Sequence, residues 1–297
     1  MSTYFRERIS SHKNVGLMLF VLPALTFLIL FIGYPFARGV VYAFTDWSML
    51  NLGYNYIGID NFINMFKDSA FVSSIDFTLK YAVLSIVLQN IGAILLAIVL
   101  DKVIRLKGFL RGVFFLPNVL AQVVVAFTWT FVFTKGFEGL FRIFKLPFLN
   151  WSWFGSENLA FLAIVITTLW TGVGYLMIIY TAGLQQMDYT YIEASLIDGA
   201  NWFQQLIRIK LPLLMPSIVV GVFTVTMGSI KQFDISFILT QGGPYRSTES
   251  LALNVYNQAY SSYNNGLACA QAIFMLVVIL AITFFEVHFL KRKEIEA

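Results

Sequence analysis

Six apolar runs, each close to the length that a helix needs to cross a bilayer, constrain this chain more than any other feature. They lie at about residues 15–36, 81–100, 113–133, 159–182, 213–230 (a continuation to Leu239 is left open) and 268–290. A helix rises 1.5 Å per residue, so about 20 mostly apolar residues span the roughly 30 Å hydrocarbon core. Composition agrees. Of 297 residues, 58% are hydrophobic and only 12% charged, and the mean hydropathy is +0.75. A water-soluble domain of this size could not cover its surface with so few charges, whereas lipid solvates an apolar exterior. The expected fold class is therefore all-α, a polytopic membrane protein with six transmembrane helices. The first run is too long for the apolar core of a signal peptide and is read as a retained helix.

Charge placement orients these spans. The net charge is +4, and the cations are unevenly shared. One set of segments holds Arg6, Arg8, Lys13, Lys102, Arg105, Lys107, Arg111, Arg208, Lys210, Lys291, Arg292 and Lys293. The other, longer in total, holds Arg38, Lys67, Lys80, Lys135, Arg142, Lys145, Lys231 and Arg246. The positive-inside rule places the first set in the cytoplasm, and both termini with it. The expected division is a cytoplasmic segment 1–14, a membrane domain 15–290 with a cytoplasmic loop 183–211, and a cytoplasmic tail 291–297. The outer loops carry Trp47, Tyr54, Tyr56, Trp151, Trp153 and Phe154, which suit an interfacial belt or the docking of an outside partner.

Several chemistries find no support. The single cysteine, Cys269, lies in an apolar run and excludes an intrachain disulfide or a Cys-based metal cluster; His12 and His288 stand near opposite ends of the chain. There is no G-x-x-x-x-G-K-[ST] loop to cradle phosphates, no triad and no paired-His set, so no catalytic residue, metal site or cofactor is expected on this chain. The cations are accounted for by topology, and no nucleic-acid partner is expected.

The loop 183–211 is the informative stretch. Ile192, Leu196, Ala200, Phe203 and Ile207 recur at helical spacing, and Asp198-Gly199 interrupts them. A cytoplasmic apolar stripe with a hinge must be covered, either by its own membrane domain or by a soluble partner. Glu193-Ala194-Ser195, Asp198-Gly199-Ala200, then Ile209-Lys210-Leu211-Pro212 and Pro216 resemble the EAA loop of binding-protein-dependent ABC importer permeases, with Ser195 standing for the second Ala. Thr240-Gln241-Gly242-Gly243-Pro244, followed by Thr248, Leu251 and Tyr256, resembles the Thr-Gly-Gly-Gly-Pro segment of sugar-importing permeases, with Gln241 for the first Gly. Gly58–Phe62 resembles an outer loop of the larger partner in the sugar-permease pair, the maltose, glycerol-phosphate and multiple-sugar type.

That resemblance implies a type I ABC importer permease fold in a bacterial inner membrane. It implies a coupling helix around Glu193, seated in a cytoplasmic ATPase dimer that binds ATP and Mg, with Ala194 and Ser195 allowing close approach. Gly199 would supply the turn between two helices, and Pro212 and Pro216 would shape the start of the fifth span. A second homologous permease, an extracytoplasmic solute-binding protein and a sugar or oligosaccharide substrate complete the implied system.

Polar residues inside spans usually face protein or water. Gln89, Asn90, Asn118 and Gln122 are candidates for the substrate path, with Gln232 and Asp234 beside the fifth span and Trp129, Trp170 and Phe233 as aromatic planes. The four amides equally suit interhelical glue, and Lys231 and Asp234, three apart, suit mutual neutralisation on one helix face. Rival readings are an importer of amino acids, peptides or phosphate esters on the same architecture, and an ion-coupled secondary transporter, for which the spans hold no clear acid–base relay or repeat.

Overall fold

The computed structural model describes residues 18–102 and 106–290. The flanking stretches 1–14 and 291–297, with Arg105 and the cationic ends, lie outside the described residues. Within that range the chain is helical, with one isolated bridge, Thr45 to Tyr56, in place of any sheet. In chain order the helices are α1 (Met18–Tyr42), α2 (Asp60–Asn64), α3 (Ser69–Lys102), α4 (Lys107–Val119), α5 (Gln122–Phe144), α6 (Glu157–Gln185), α7 (Tyr189–Ile197), α8 (Trp202–Leu213), α9 (Met215–Ile230), α10 (Leu251–Tyr260) and α11 (Asn265–Leu290). Five of these, α1, α3, α5, α6 and α11, are long and apolar enough to cross a bilayer alone, and the bent pair α8–α9 makes a sixth if taken as one span.

Two of the six runs differ in form from the uninterrupted spans expected. Run 113–133 is broken: α4 ends at Val119, Leu120 and Ala121 are extended, and α5 begins at Gln122. Pro117 lies inside the last turns of α4, where it removes a backbone donor and crowds the preceding turn. The continuation from 230 to 239 is also interrupted, because α9 stops at Ile230 and helical turns resume only at Asp234, leading into a π-helical turn at Ser236–Thr240. Hydropathy is blind to the first break, since Leu120 and Ala121 are as apolar as helix, whereas the second falls at Lys231-Gln232-Phe233. The second run is longer than expected: α3 has 34 residues, about 50 Å at helical rise, more than the roughly 30 Å of a hydrocarbon core.

The chain divides into two compact units, Met1–Met65 with Gln258–Ile273, and Phe66–Asn257 with Phe274–Ala297. In the first, the stretch 43–61 is tied by its own polar groups. Asn61 Nδ2 donates to the carbonyls of Ala43 and Thr45 at 2.9 and 2.8 Å, Asn265 Oδ1 accepts from Met49 N at 2.8 Å, and Gly58 has a φ of +62°. Two residues of the Gly58–Phe62 motif thus build a turn and lock it.

In the second unit, α3, α6 and α9 pack together and α4 lies along α6. One apolar cluster gathers Ala93, Ala97, Leu176, Met177, Tyr180 and Leu214; another joins Phe77, Tyr81, Phe133, Trp153, Ile164 and Ile235. Small residues set the approach. A Cβ on Gly174 would overlap the backbone carbonyl of Phe114 on α4, and one on Gly221 would overlap the Tyr180 hydroxyl. Such contacts replace the hydrophobic driving force, which is absent between helices in lipid.

Candidate functional site

Both helix breaks open onto one cavity of about 400 Å³ within the second unit. Non-helical backbone at membrane depth survives only where protein buries it or water-filled space borders it. The cavity wall brings together Gln89, Asn118, Gln122, Gln232, Phe233 and Asp234, six of the nine residues expected on the substrate path. Asn118 and Gln122 bracket the break after α4, and Gln232 and Phe233 form the break after α9.

The polar atoms on this wall are incompletely paired. Gln122 Oε1 and Gln232 Nε2 are buried without a hydrogen-bond partner, while Gln232 Oε1 accepts from Ser236 Oγ at 3.0 Å. One unpaired acceptor and one unpaired donor thus belong to residues that line the same cavity, and leaving such groups unpaired is costly. Gln89 is held where it is by Gly172, since a Cβ there would fall inside the Gln89 amide. Lys231 caps the end of α9 and Asp234 opens the next turn, both exposed to the cavity. No ion pair joins them among the described residues, because the break removes the common helix face that their spacing suggested.

Asn90 and Trp170 stand apart. Asn90 Nδ2 donates to Ile86 O at 2.6 Å and Asn90 Oδ1 accepts from the Tyr180 hydroxyl, which joins α3 to α6. Trp170 packs edge-on against Trp129, with ring centroids 5.8 Å apart.

A second site is the segment between α6 and α9. Asp188 caps α7 by accepting from Thr190 N at 2.9 Å, and the Thr190 amide and hydroxyl hold its carboxyl below the usual aspartate range. After Ile197 the helix closes with two bonds, Ala200 N to Ser195 O at 2.9 Å and Gly199 N to Leu196 O at 3.1 Å, with Gly199 at φ +75°. This is the Schellman closure, which needs a left-handed residue where Gly stands. Asn201 and Gln204 then form a reciprocal capping box, at 2.9 and 2.8 Å, that starts α8. Ser195 is buried, and its hydroxyl is satisfied by Ile192 O at 2.7 Å, which is why a polar residue fits where Ala is the pattern. Glu193 is exposed and joins no ion pair among the described residues. Ala194, Leu196, Ile197, Asp198 and Phe203 are exposed as well, Ile197 at 87%. Ala200, Leu211 and Pro212 are half-buried, and α8 meets α9 at a bend of 69° between Pro212 and Pro216.

The Thr240 segment folds on itself. The Thr240 and Thr248 hydroxyls lie 2.7 Å apart, Thr248 Oγ1 donates to Gly243 O at 2.7 Å, and the Gly243–Pro244 peptide is cis. Gln241 sits at φ +52°, the left-handed region that the family's Gly would occupy at no steric cost.

Three acidic or capping features escaped the sequence reading. Glu249 is almost fully buried, paired with Arg246 Nε at 2.8 Å and accepting from Asn254 and Asn257 at 3.1 and 3.0 Å. Its partners lie within eight residues, but only the folded loop turns them inward. Glu286, in α11, accepts from Thr226 Oγ1 at 2.6 Å, while its Oε2 is buried without a partner. The Asn201 capping box was readable, as Asn followed three residues later by Gln before an apolar run.

Comparison with known proteins adds sequence kinship to this geometry. A model of the binding-protein-dependent transport system inner membrane component family matches residues 89–295. The chain is 35% identical over 284 residues to a probable starch degradation products transport system permease protein of Thermoanaerobacterium thermosulfurigenes, covering 96% of this chain and 97% of that one. It is 33% identical to a multiple sugar-binding transport system permease protein of Streptococcus mutans, covering 93% and 95%, and 28% identical to an sn-glycerol-3-phosphate transport system permease protein of Agrobacterium fabrum, covering 93% and 94%. Its fold matches a chain of a bacterial ABC transporter that imports the acidic polysaccharide alginate, with a TM-score of 0.84 at 22% identity over 97% of this chain and 99% of that one.

Proposed function

This chain belongs to the family of binding-protein-dependent transport system inner membrane components, and from that premise we propose that it is one of two permease subunits of an ATP-driven importer of a sugar or oligosaccharide. The cavity between the two helix breaks is this chain's half of the translocation path. The amide-lined wall, with an unpaired acceptor on Gln122 and an unpaired donor on Gln232, carries the reading, because sugar hydroxyls both give and take hydrogen bonds. Phe233 offers the aromatic plane that packs against the C–H face of a sugar ring.

The energy comes from elsewhere. The segment α7–α8 is the coupling element, seated on a cytoplasmic ATPase dimer whose own nucleotide sites bind ATP and Mg. Exposed Ile197 and Phe203 provide apolar contact, Glu193 meets a basic group of the ATPase, and the Gly199 closure fixes the angle between the two helices. The bend before α9 then passes motion of that segment to a helix that borders the cavity. Both termini and 183–211 face the cytoplasm, and a solute-binding protein delivers cargo from the other side of a bacterial inner membrane. The solute classes named for the relatives, starch degradation products and multiple sugars among them, agree with this assignment.

ATP-dependent uptake of labelled sugars in vesicles that hold the full complex tests the proposal, comparing the wild type with Glu193→Lys and Gly199→Arg. The expected result is loss of uptake and of ATPase co-purification in both variants with normal insertion. Normal transport by both, or solute movement by this chain alone on an ion gradient, would overturn it in favour of a secondary transporter.

A further inference from the structure

The cavity holds two formal charges among the described residues that border it, Lys231 and Asp234, and the backbone break lies between them. Lys231 ends α9, where a cation offsets the negative end of the helix dipole, and Asp234 begins the following turn, where an anion offsets the positive end. That accounts for each charge locally. It does not account for their exposure to the same cavity without an ion pair between them, since two groups three residues apart on an unbroken helix would pair. The break keeps them separate and available.

Resting on the sugar-importer reading, we propose that Lys231 and Asp234 form a charge-balanced specificity pair that admits uncharged saccharides and rejects anionic ones such as uronates and phosphorylated polyols. A neutral sugar accepts from the Lys231 ammonium and donates to the Asp234 carboxylate through neighbouring hydroxyls, and it completes the free groups on Gln122 and Gln232. An anionic sugar gains from Lys231 and loses to Asp234, so nothing repays the desolvation of its charge. The selectivity resides in the balance and not in either residue alone.

The pair makes opposite predictions for its two members. Asp234→Asn leaves one uncompensated cation and tilts the cavity towards anions. Lys231→Met leaves one uncompensated anion and tilts it further against them. Partly screened beside an open cavity, one full charge contact corresponds to about tenfold in affinity. The double variant, balanced again, regains the preference for neutral sugars at a lower affinity for all of them.

Calorimetry on the purified permease–ATPase complex, with both permeases present and the binding protein omitted so that its own selectivity does not enter, reads these changes. The probes are maltotriose, trigalacturonate and glycerol 3-phosphate. In the wild type we expect maltotriose to bind and the two anions to bind at least about tenfold more weakly. Asp234→Asn should raise the ratio of anionic to neutral affinity by about tenfold, Lys231→Met should lower it, and the double variant should return it to the wild-type value. Equal binding of trigalacturonate and maltotriose by the wild type, or an unchanged ratio in a monodisperse Asp234→Asn complex, overturns the charge-balance proposal and leaves the sugar reading standing. If Asp234→Asn does not assemble, the sign of the Lys231→Met shift decides. No heat from any saccharide with wild type or variants overturns the sugar reading and this proposal together.

Discussion

Two glycines two residues apart on α6 should respond in opposite ways to the same added methyl group, because different atoms stand in its way. At Gly172 the new Cβ overlaps the end of the Gln89 side chain, whereas at Gly174 it overlaps the carbonyl and following amide of the α4 backbone at Phe114 and Phe115. Replacing a helical Gly by Ala is itself worth about 1 kcal/mol to the helix. In Gly172→Ala the Gln89 amide must swing to an off-rotamer position at a cost of about 1 kcal/mol, so stability should end near the wild-type value. In Gly174→Ala a backbone cannot swing, and overpacking of this kind costs about 3 kcal/mol, leaving a net loss of about 2 kcal/mol. That difference is about thirtyfold in the folded-to-unfolded ratio. Thermal melting of the detergent-purified complex should show Gly174→Ala clearly below wild type and Gly172→Ala close to it. Solute titration should show the reverse ranking of damage for Gly172→Ala, whose displaced Gln89 loses one cavity contact and about two- to tenfold in affinity. Equal melting temperatures, or unaltered affinity in Gly172→Ala, would refute the packing argument and the place of Gln89 on the path.

Tyr180→Phe removes the hydroxyl that Asn90 accepts from, so it should cost about 1 kcal/mol in melting experiments and leave solute affinity within about twofold, separating interhelical glue from solute contact. Thr226→Val strips the one donor from Glu286 and should destabilise the complex by about 1–3 kcal/mol, with Glu286→Gln in the same background restoring part of the loss. The Asp188 carboxyl is held below its ordinary range, so its cap on α7 should be complete above pH ~4 and fade as pH falls through the lowered value. Hydrogen exchange at the Thr190 amide should stay protected from neutral pH down to about pH 4 and lose protection only below it, while Asp188→Ala should lack that dependence.

Much of this protein was legible before any fold. Runs of about 20 apolar residues must be helices in lipid, because no other local structure satisfies every backbone group without water. The turn at Gly199 was legible because the closure there needs a left-handed residue, and Gly takes that conformation without strain. Five cavity residues were picked out as polar side chains in or beside apolar runs, and Phe233 as an aromatic plane, signals that survive without coordinates.

What the sequence could not decide was which of those polar groups meet. Gln89 and Asn90 are adjacent in α3 and alike in chemistry, yet one borders the cavity and the other is consumed by Tyr180, since neighbouring residues on a helix point about 100° apart. Spacing suggested that Lys231 and Asp234 would neutralise each other, and the break at Gln232 and Phe233 separated them instead. Hydropathy sums composition and has no term for backbone direction, so run 113–133 looked like one rod, although Pro117 stands just before the point where it parts. The sequence alone determined the solvent, the helices and the closure at Gly199; tertiary structure decided which side chains share a space, because that depends on helix rotation and on how the pieces on either side of each break pack.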